Sequence, residues 1–316
     1  MSTVETVRGP VALDALGPTL MHEHVFVMQA DARENYGSLW GAPYWDEETR
    51  VRDAVAKLRR LREHGVQTIV DPTVIGIGRN IERLRRINAE VDLNIVVASG
   101  VYAFLGLPNF LTYRTGDQLA DIFVREIEVG INGTGIKAAF LKCAVESHGL
   151  IGDVPRILAS VAQAAVRTGV PVMIHTNAAA RTGLPALETL VAAEVAPSRI
   201  VIAHMGDSND LGYLRAVADA GAWLGLDRFG IDHFNPLADR IATLRALIEA
   251  GYADRIHLGH DAACFMDFMV ENPAFAGETS DYTLIHREVL PALRAAGVGE
   301  EVIEQMLVTN ARAFFA

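Results

Sequence analysis

Short apolar runs rich in β-branched residues alternate along the chain with longer amphipathic segments. Such runs, bounded by Gly, Pro and Asp, are typical of buried strands, whereas apolar positions every three to four residues indicate helices. Eight runs fit strands: "TLMHEH", "QTIVDPT", "NIVVASGVY", "AAFLKCA", "VPVMIHT", "RIVIAHM", "AWLGLDRFG" and "RIHLGHDA". Helical patterns cover residues 47–63, 80–91, 118–129, 154–168, 184–194, 211–220 and 237–250, and the tail at 282–315 fits two more helices. This alternation predicts an α/β fold, a (β/α)₈ TIM barrel, with residues 1–316 as one domain after a short N-terminal hairpin.

Composition narrows the class of protein without changing the predicted fold. The 316 residues are 50% hydrophobic, ample for a large core, and carry a formal net charge of −11. A negative protein repels a phosphate backbone, so we expect no nucleic-acid partner. The N-terminus lacks a signal-peptide pattern and no apolar stretch reaches about 18 residues, so we expect a cytoplasmic protein without a membrane span. Cys143 and Cys264 give no disulfide framework and fit buried thiols.

Polar residues stand where the predicted strands end. The stretch "GPTLMHEHVF" places His22 and His24 on one side of a strand and Glu23 on the other. In a (β/α)₈ barrel the carboxyl ends of the strands form the active-site mouth, so side chains at those ends meet. The candidates are His22, His24, Lys142, His175, His204 and Asp261. A lone histidine at such a position is ordinarily structural, but this set suits Zn²⁺, and six ligands exceed one tetrahedral site and fit two adjacent metals.

Lys142 is the unusual member of the set, because an ammonium beside two dications is repelled. One interpretation is an ion pair at the barrel rim. However, four neutral histidines and one aspartate leave two dications with three uncompensated charges, which a dry pocket does not tolerate. A carbamate formed from the neutral amine and carbon dioxide would bridge the metals as a carboxylate does. We therefore infer two divalent ions, Zn²⁺ first and Co²⁺, Fe²⁺ or Mn²⁺ as alternatives, bridged by carboxylated Lys142 and hydroxide.

A series of motifs resembles the phosphotriesterase family of the amidohydrolase superfamily, and within it the phosphotriesterase-like lactonases. The motifs occur in family order along nearly the whole chain: "TLMHEHVF", "TVIGIGRN", "SGVY", "LKCA", "VPVMIHT", "AHMGDSNDLGYL", "LGLDRFGID", "GHDA" and "VTNARAFF". The implied ligands are His22, His24, Lys142 and Asp261 for the more buried metal, and Lys142, His175 and His204 for the more exposed one. Carboxylation of Lys142 is likewise a family feature. The stretch "AVESHGL" departs from the family's acidic-Pro-Gly turn, which concerns substrate preference rather than metal chemistry.

Three positions indicate the lactonase branch. Arg228 follows Asp227 where phosphotriesterases proper resemble "LDH". Tyr102 matches a tyrosine that reaches the ligand of the exposed metal, and Phe268 stands where the family places an aromatic wall of the lactone pocket. The alternatives are that Tyr102 only packs at the rim, and that Arg228 forms a structural ion pair with Asp227 or Asp232.

The resemblance implies a hydrolase that opens a neutral lactone, such as an N-acyl-homoserine lactone, with weak activity on phosphotriesters. We expect Tyr102 to stabilise the oxyanion, Asp261 to take the proton of a metal-acidified water, and Asp207 to relay it. Arg228 and Phe268 would shape the substrate pocket. The alternatives are a dedicated organophosphate or carboxylester hydrolase, and a catalytically silent homologue that binds a small ligand. The aromatic stretch "YGSLWGAPYW" fits the surface of a homodimer, which the resemblance also suggests.

Overall fold

The computed structural model describes residues 2–31, 33–35, 46–267 and 281–316. Eight parallel strands form its central sheet. In chain order, the strands are β1 (Thr3–Thr6), β2 (Gly9–Ala12), β3 (Thr19–Leu20), β4 (His24–Val27), β5 (Thr68–Asp71), β6 (Asn94–Gly100), β7 (Phe140–Val145), β8 (Val172–Thr176), β9 (Ile200–Ile202), β10 (Trp223–Leu226), β11 (Ile256–Leu258) and β12 (Ala263–Met266). β1 and β2 form an antiparallel hairpin, β4 pairs with β12, and the large sheet runs β3–β5–β6–β7–β8–β9–β10–β11. The N–H of Met21 donates to the carbonyl of Leu258 with N···O 2.8 Å, which nearly closes the barrel and confirms the predicted fold class.

Helices follow the barrel strands in turn. They are α1 (Glu47–Glu63), α2 (Ile81–Asn88), α3 (Gly116–Glu128), α4 (Val154–Thr168), α5 (Gly183–Ala192), α6 (Leu211–Asp219), α7 (Leu237–Glu249), α8 (Leu290–Ala295), α9 (Glu300–Glu304) and α10 (Asn310–Phe315), with π-helical turns at Ile285–Val289 and Gln305–Thr309. The side chain of Asp46 caps α1 by accepting the N–H of Thr49, because the first N–H groups of a helix lack partners within it. α4 ends at Thr168 and is followed by Gly169, whose φ of 74° is the left-handed conformation that glycine adopts without strain.

Alternate residues of the barrel strands face two separate cores. Phe140 of β7 and Met173 of β8 belong to the cluster inside the barrel, whereas Leu141 belongs to the cluster between the sheet and the helices. Side chains of a strand alternate with period two, so Lys142 and His175 face the barrel interior with Phe140 and Met173. The pleat of the strands therefore places these two polar side chains inside the barrel.

The structure divides the first predicted strand into two. β3 ends at Leu20, a bend follows, and His24 begins β4. The N–H of Glu23 donates to the carbonyl of Val70 at 3.0 Å, and the N–H of His24 donates to that of Ala262 at 2.7 Å. Because the backbone changes hydrogen-bonding partners inside the run, the prediction of one continuous strand over residues 19–24 was wrong.

None of the helices in the described ranges is both long enough and apolar enough to span a bilayer. The aromatic stretch at residues 36–45 and Phe268 lie outside the described residues. The dimer surface and the pocket wall that were assigned to them therefore stay predictions.

Candidate metal centre

A cavity of about 300 Å³ lies where the predicted metal ligands meet. Five of the six ligands line it, namely His22, His24, Lys142, His175 and Asp261. The sixth, His204, reaches the group through its Nε2, which lies 2.8 Å from Nδ1 of His175. Potential ligand atoms of His22, His204 and Asp261 all lie within 4.8 Å of one another. Residues from five regions of the chain thus converge on one site.

Asp227, directly after β10, connects two of the histidines. Its Oδ2 lies 2.8 Å from Nδ1 of His22, and its Oδ1 lies 2.9 Å from Nδ1 of His204. Burial raises the pKa of Asp227, but His204 and His22 outweigh burial and hold that pKa well below its ordinary range. The ionised carboxylate therefore accepts an N–H from each Nδ1, which directs each Nε2, the nitrogen that would bind a metal, towards the site.

His24 is oriented in the same way by residues at the end of β5. Its Nδ1 lies 2.7 Å from Oγ1 of Thr73, whose hydroxyl donates to Oδ1 of Asp71. On the other side of the ring, Nε2 of His24 lies 3.2 Å from Oδ1 of Asp261, and Nε2 of His22 lies 3.3 Å from the same oxygen. Both histidines thus present Nε2 to one carboxylate oxygen.

Glu23, between the two histidines of "HEH", holds the loop that carries Asp261. Its Oε1 accepts the backbone N–H of His260 at 2.8 Å and lies 2.6 Å from Nδ1 of that residue, while its Oε2 accepts the N–H of Ala262 at 3.2 Å. Asp261 itself has a φ of 54°, a left-handed conformation that is unfavourable for a residue with a Cβ. The bonds from Glu23 on both sides of Asp261 offset this strain.

Burial favours the neutral form of both His204 and His175. Burial lowers the pKa of His175 and, with Arg228 acting in the same direction, lowers that of His204 well below its ordinary value. Neutral imidazole is the form that binds a metal. His204 also has a left-handed backbone, with φ 68°, and its N–H donates to Oδ1 of Asp227 at 2.8 Å.

Lys142 lies in the middle of β7 rather than near its end. Its side chain is buried, and its Nζ hydrogen-bonds to no atom of the residues described here. Burial lowers the pKa of Lys142 to about 8, although Asp261 and Asp227 act in the opposite direction. A buried amine without a partner is unfavourable unless something else binds it. This amine, the histidines and the Asp261 carboxylate are groups that could hold divalent cations.

Tyr102 and Glu146 contact the side of His175 that faces away from His204. The Tyr102 hydroxyl donates to Oε1 of Glu146 and lies 3.2 Å from Nε2 of His175, and Oε1 lies 3.1 Å from the same nitrogen. Burial and the Glu146 carboxylate raise the pKa of Tyr102 well above its ordinary value, so the hydroxyl keeps its proton. Burial raises the pKa of Glu146, but His175 and Tyr102 outweigh burial and lower that pKa to about 2. Sequence reasoning missed Glu146, although it lies in the unusual stretch "AVESHGL".

Comparison with known proteins shows the family of the chain. A model of the phosphotriesterase family matches residues 2–315. The chain belongs to the phosphotriesterase family. A phosphotriesterase homology protein of Mycobacterium tuberculosis is 45% identical over 100% of this chain and 98% of its own length. An aryldialkylphosphatase of Saccharolobus solfataricus is 36% identical over 95% of each chain. The solved structure of the phosphotriesterase from Mycobacterium tuberculosis has a TM-score of 0.93 and 45% identity, covering 99% of this chain and 98% of that one.

Membership of the phosphotriesterase family confirms the resemblance stated from the motifs. It also confirms that the chain is a hydrolase. The family is known for a binuclear metal site, and the histidines gathered at the cavity are residues that bind metals.

Arg228 joins two carboxylates at the edge of this phosphotriesterase-family site. Its Nε donates to Oδ2 of Asp261 at 2.8 Å, and its Nη1 donates to Oδ2 of Asp207 at 2.8 Å. The buried Arg240 donates to the other oxygen of Asp207 at 2.7 Å. Burial lowers the pKa of Arg228, but Asp261 and Asp207 outweigh burial and raise it, so the guanidinium keeps its charge. A fixed guanidinium therefore separates Asp207 from Asp261.

Two sequence-based assignments around Arg228 change as a result. The suggested ion-pair partners were Asp227, which instead bonds the histidines, and Asp232, which accepts the N–H of Leu237. In the described part of the chain, no hydrogen bond joins Asp207 directly to Asp261, and Arg228 lies between them. Asp207 anchors Arg228, and its role as a proton relay stays a prediction.

Proposed function

We propose that this phosphotriesterase-family hydrolase is a binuclear metal-dependent lactonase. Its substrates would be N-acyl-homoserine lactones or related γ- and δ-lactones, with a weaker side activity on phosphotriesters. The observation that carries the proposal is that Tyr102 and Arg228, the residues that indicate the lactonase branch, both line the cavity together with the metal ligands. The rest of the lining includes Val27, Ile77 and Phe104, which favour a neutral, largely apolar substrate.

The metal pair would be held by the two ligand sets that meet at Lys142. One set is His22, His24, Lys142 and Asp261, and the other is Lys142, His175 and His204. Zn²⁺ is the first choice because imidazole nitrogens dominate the set, with Co²⁺, Fe²⁺ and Mn²⁺ as alternatives. When bound, such cations supply Lewis acidity, which lowers the pKa of a water and polarises the carbonyl of the substrate.

The protein groups would then act on the proton and on the developing charge. Asp261 takes the proton of the attacking water and returns it to the alkoxide as the ring opens. Arg228 holds Oδ2 of Asp261, which leaves Oδ1 directed at His22 and His24. The protonated hydroxyl of Tyr102 turns from Glu146 to the oxyanion as negative charge develops on it.

A dedicated organophosphate hydrolase is the second candidate. The relative from Saccharolobus solfataricus is named an aryldialkylphosphatase, and 36% identity over 95% of each chain makes a similar activity here worth testing. The third candidate, a catalytically silent homologue that binds a small ligand, is disfavoured because every predicted metal ligand is present at the site.

A comparison of substrates on one metal-loaded preparation tests the proposal. We expect kcat/KM on the better of an N-acyl-homoserine lactone and a γ-lactone to exceed that on paraoxon by at least about tenfold, about 1.4 kcal/mol of transition-state preference. A higher value on paraoxon would favour the organophosphate hydrolase, and no turnover of any of the three would favour the silent homologue. Protein stripped of metal is the control, because turnover should disappear in it.

A further inference from the structure

The four histidines of the site do not present the same ring nitrogen to the cavity. His22, His24 and His204 each bond a neighbouring side chain through Nδ1, which leaves Nε2 directed inward. His175 is reversed: its Nδ1 lies 2.8 Å from Nε2 of His204, and its Nε2 faces Glu146 at 3.1 Å. Asp227 and Thr73 orient the first three rings, so His175 needs an orienting group of its own.

A neutral imidazole carries its single N–H on one nitrogen and its free lone pair on the other. A bond at one nitrogen therefore decides which nitrogen can bind a metal. Glu146 follows β7 directly, and its carboxylate can only accept hydrogen bonds. When a cation is bound, an N–H on Nε2 of His175 satisfies that carboxylate and leaves the lone pair on Nδ1, 2.8 Å from Nε2 of His204, so that both nitrogens can bind the same cation.

We propose that Glu146 is a positioning residue that fixes His175 in the Nε2–H tautomer and so prepares Nδ1 as a metal ligand. The same oxygen of Glu146 accepts the Tyr102 hydroxyl, which keeps that hydroxyl beside the metal ligand in the free protein. The inference rests on the metal centre of the proposed function but not on the choice of lactone as substrate.

Tyr102→Phe provides a matched control for the loss of Glu146. This change removes one of the two groups that bond Oε1 of Glu146 but leaves the contact between Glu146 and His175 in place. Glu146→Gln keeps the shape and one acceptor oxygen of the side chain, whereas Glu146→Ala removes both oxygens. The three variants therefore distinguish the effect of the Glu146 contact with His175 from the effect of its bond with Tyr102 and from the effect of side-chain volume.

The experiment titrates metal-free protein with Zn²⁺ in competition with a chelator and resolves the affinity of each equivalent. We expect Glu146→Ala to weaken one of two equivalents by about 10- to 100-fold, the usual effect of losing a carboxylate behind a ligating histidine. Glu146→Gln should fall between Glu146→Ala and the unmodified protein, and Tyr102→Phe should bind as the unmodified protein does. Nitrogen NMR of the Zn²⁺-loaded unmodified protein should show the Nε2–H tautomer of His175.

Two results would overturn the inference. One is a Glu146→Ala protein that binds both equivalents as tightly as the unmodified protein, and the other is an equal loss in Tyr102→Phe. If Glu146→Ala does not fold, Glu146→Gln decides, because unchanged affinities for both equivalents there also contradict the proposal. If the unmodified protein takes up fewer than two equivalents, the binuclear centre fails rather than the role of Glu146 alone.

Discussion

Replacing Lys142 by alanine tests the residue whose ordinary chemistry fits its surroundings least. Its pKa of about 8, against an ordinary value of 10.5, corresponds to about 3 kcal/mol that disfavours the ammonium at this buried position. Nζ has no hydrogen-bond partner among the described residues. A carbamate would make the side chain anionic, and its oxygens could then bind cations. Lys142→Ala should therefore lose metal, and kcat should fall by at least about 10³-fold, or about 4 kcal/mol.

Short carboxylic acids extend this test. Alanine leaves room for acetate or propionate, whose carboxylate can replace the missing bridge, so added acid should restore part of the activity of Lys142→Ala. Lys142→Met is the matched control: its apolar side chain fills the space, so the same acids should restore nothing. Metal content by mass spectrometry and initial rates, each with and without acid, give the result. Two tightly bound metals and near-normal activity in Lys142→Ala without acid would refute the bridging role, since removing a plain ammonium should leave metal binding equal or better.

Two further predictions concern Tyr102 and His257. In steady-state assays on the best lactone, Tyr102→Phe should lower kcat by about one to three orders of magnitude with little change in Tm, because only the donor to the oxyanion is removed. An unchanged kcat would show that Tyr102 only packs at the rim. His257 is buried against Trp223, and its two ring nitrogens find no hydrogen-bond partner in the described ranges. Burial lowers the pKa of His257 to about 3. Below about pH 6.5 the imidazole is therefore protonated in the unfolded chain but stays neutral in the folded one, so the free energy of unfolding falls as the pH decreases towards 3. Between pH 6.5 and 4.5, urea unfolding of metal-free protein should show a loss of about 2 to 3 kcal/mol that His257→Leu does not share, and an identical loss in the variant would contradict this assignment.

The regular part of the fold follows from local patterns. The predicted helices at 47–63 and 154–168 agree residue for residue with α1 and α4, because the spacing of apolar residues and the signals at helix ends depend on residues close in sequence. All eight predicted barrel runs contain a strand of the sheet. The prediction of one continuous strand over residues 19–24 was wrong because the bend after β3 depends on hydrogen bonds to the carbonyls of Val70 and Ala262, which are distant in the sequence.

The meeting of the candidate ligands at one cavity was predictable because strand ends of a barrel converge, but their supporting groups were not. Asp227 bonds His22 across 205 positions of sequence, and Glu146 meets Tyr102 across 44. No periodicity marks a carboxylate that orients a histidine, so these partners become visible only when the barrel brings the strands together. The same holds for Arg228, which is adjacent to Asp227 in sequence but bonds Asp261 and Asp207.

The most direct test of the proposed chemistry follows lactone hydrolysis while metal-free protein is titrated with Zn²⁺ in the presence of bicarbonate. We expect the rate to rise with metal uptake and to reach its plateau only when two equivalents are bound per chain, because the proposed chemistry needs cations both to acidify the water and to polarise the substrate carbonyl. A plateau at one equivalent, or lactone turnover by the metal-free protein, would contradict a binuclear lactonase.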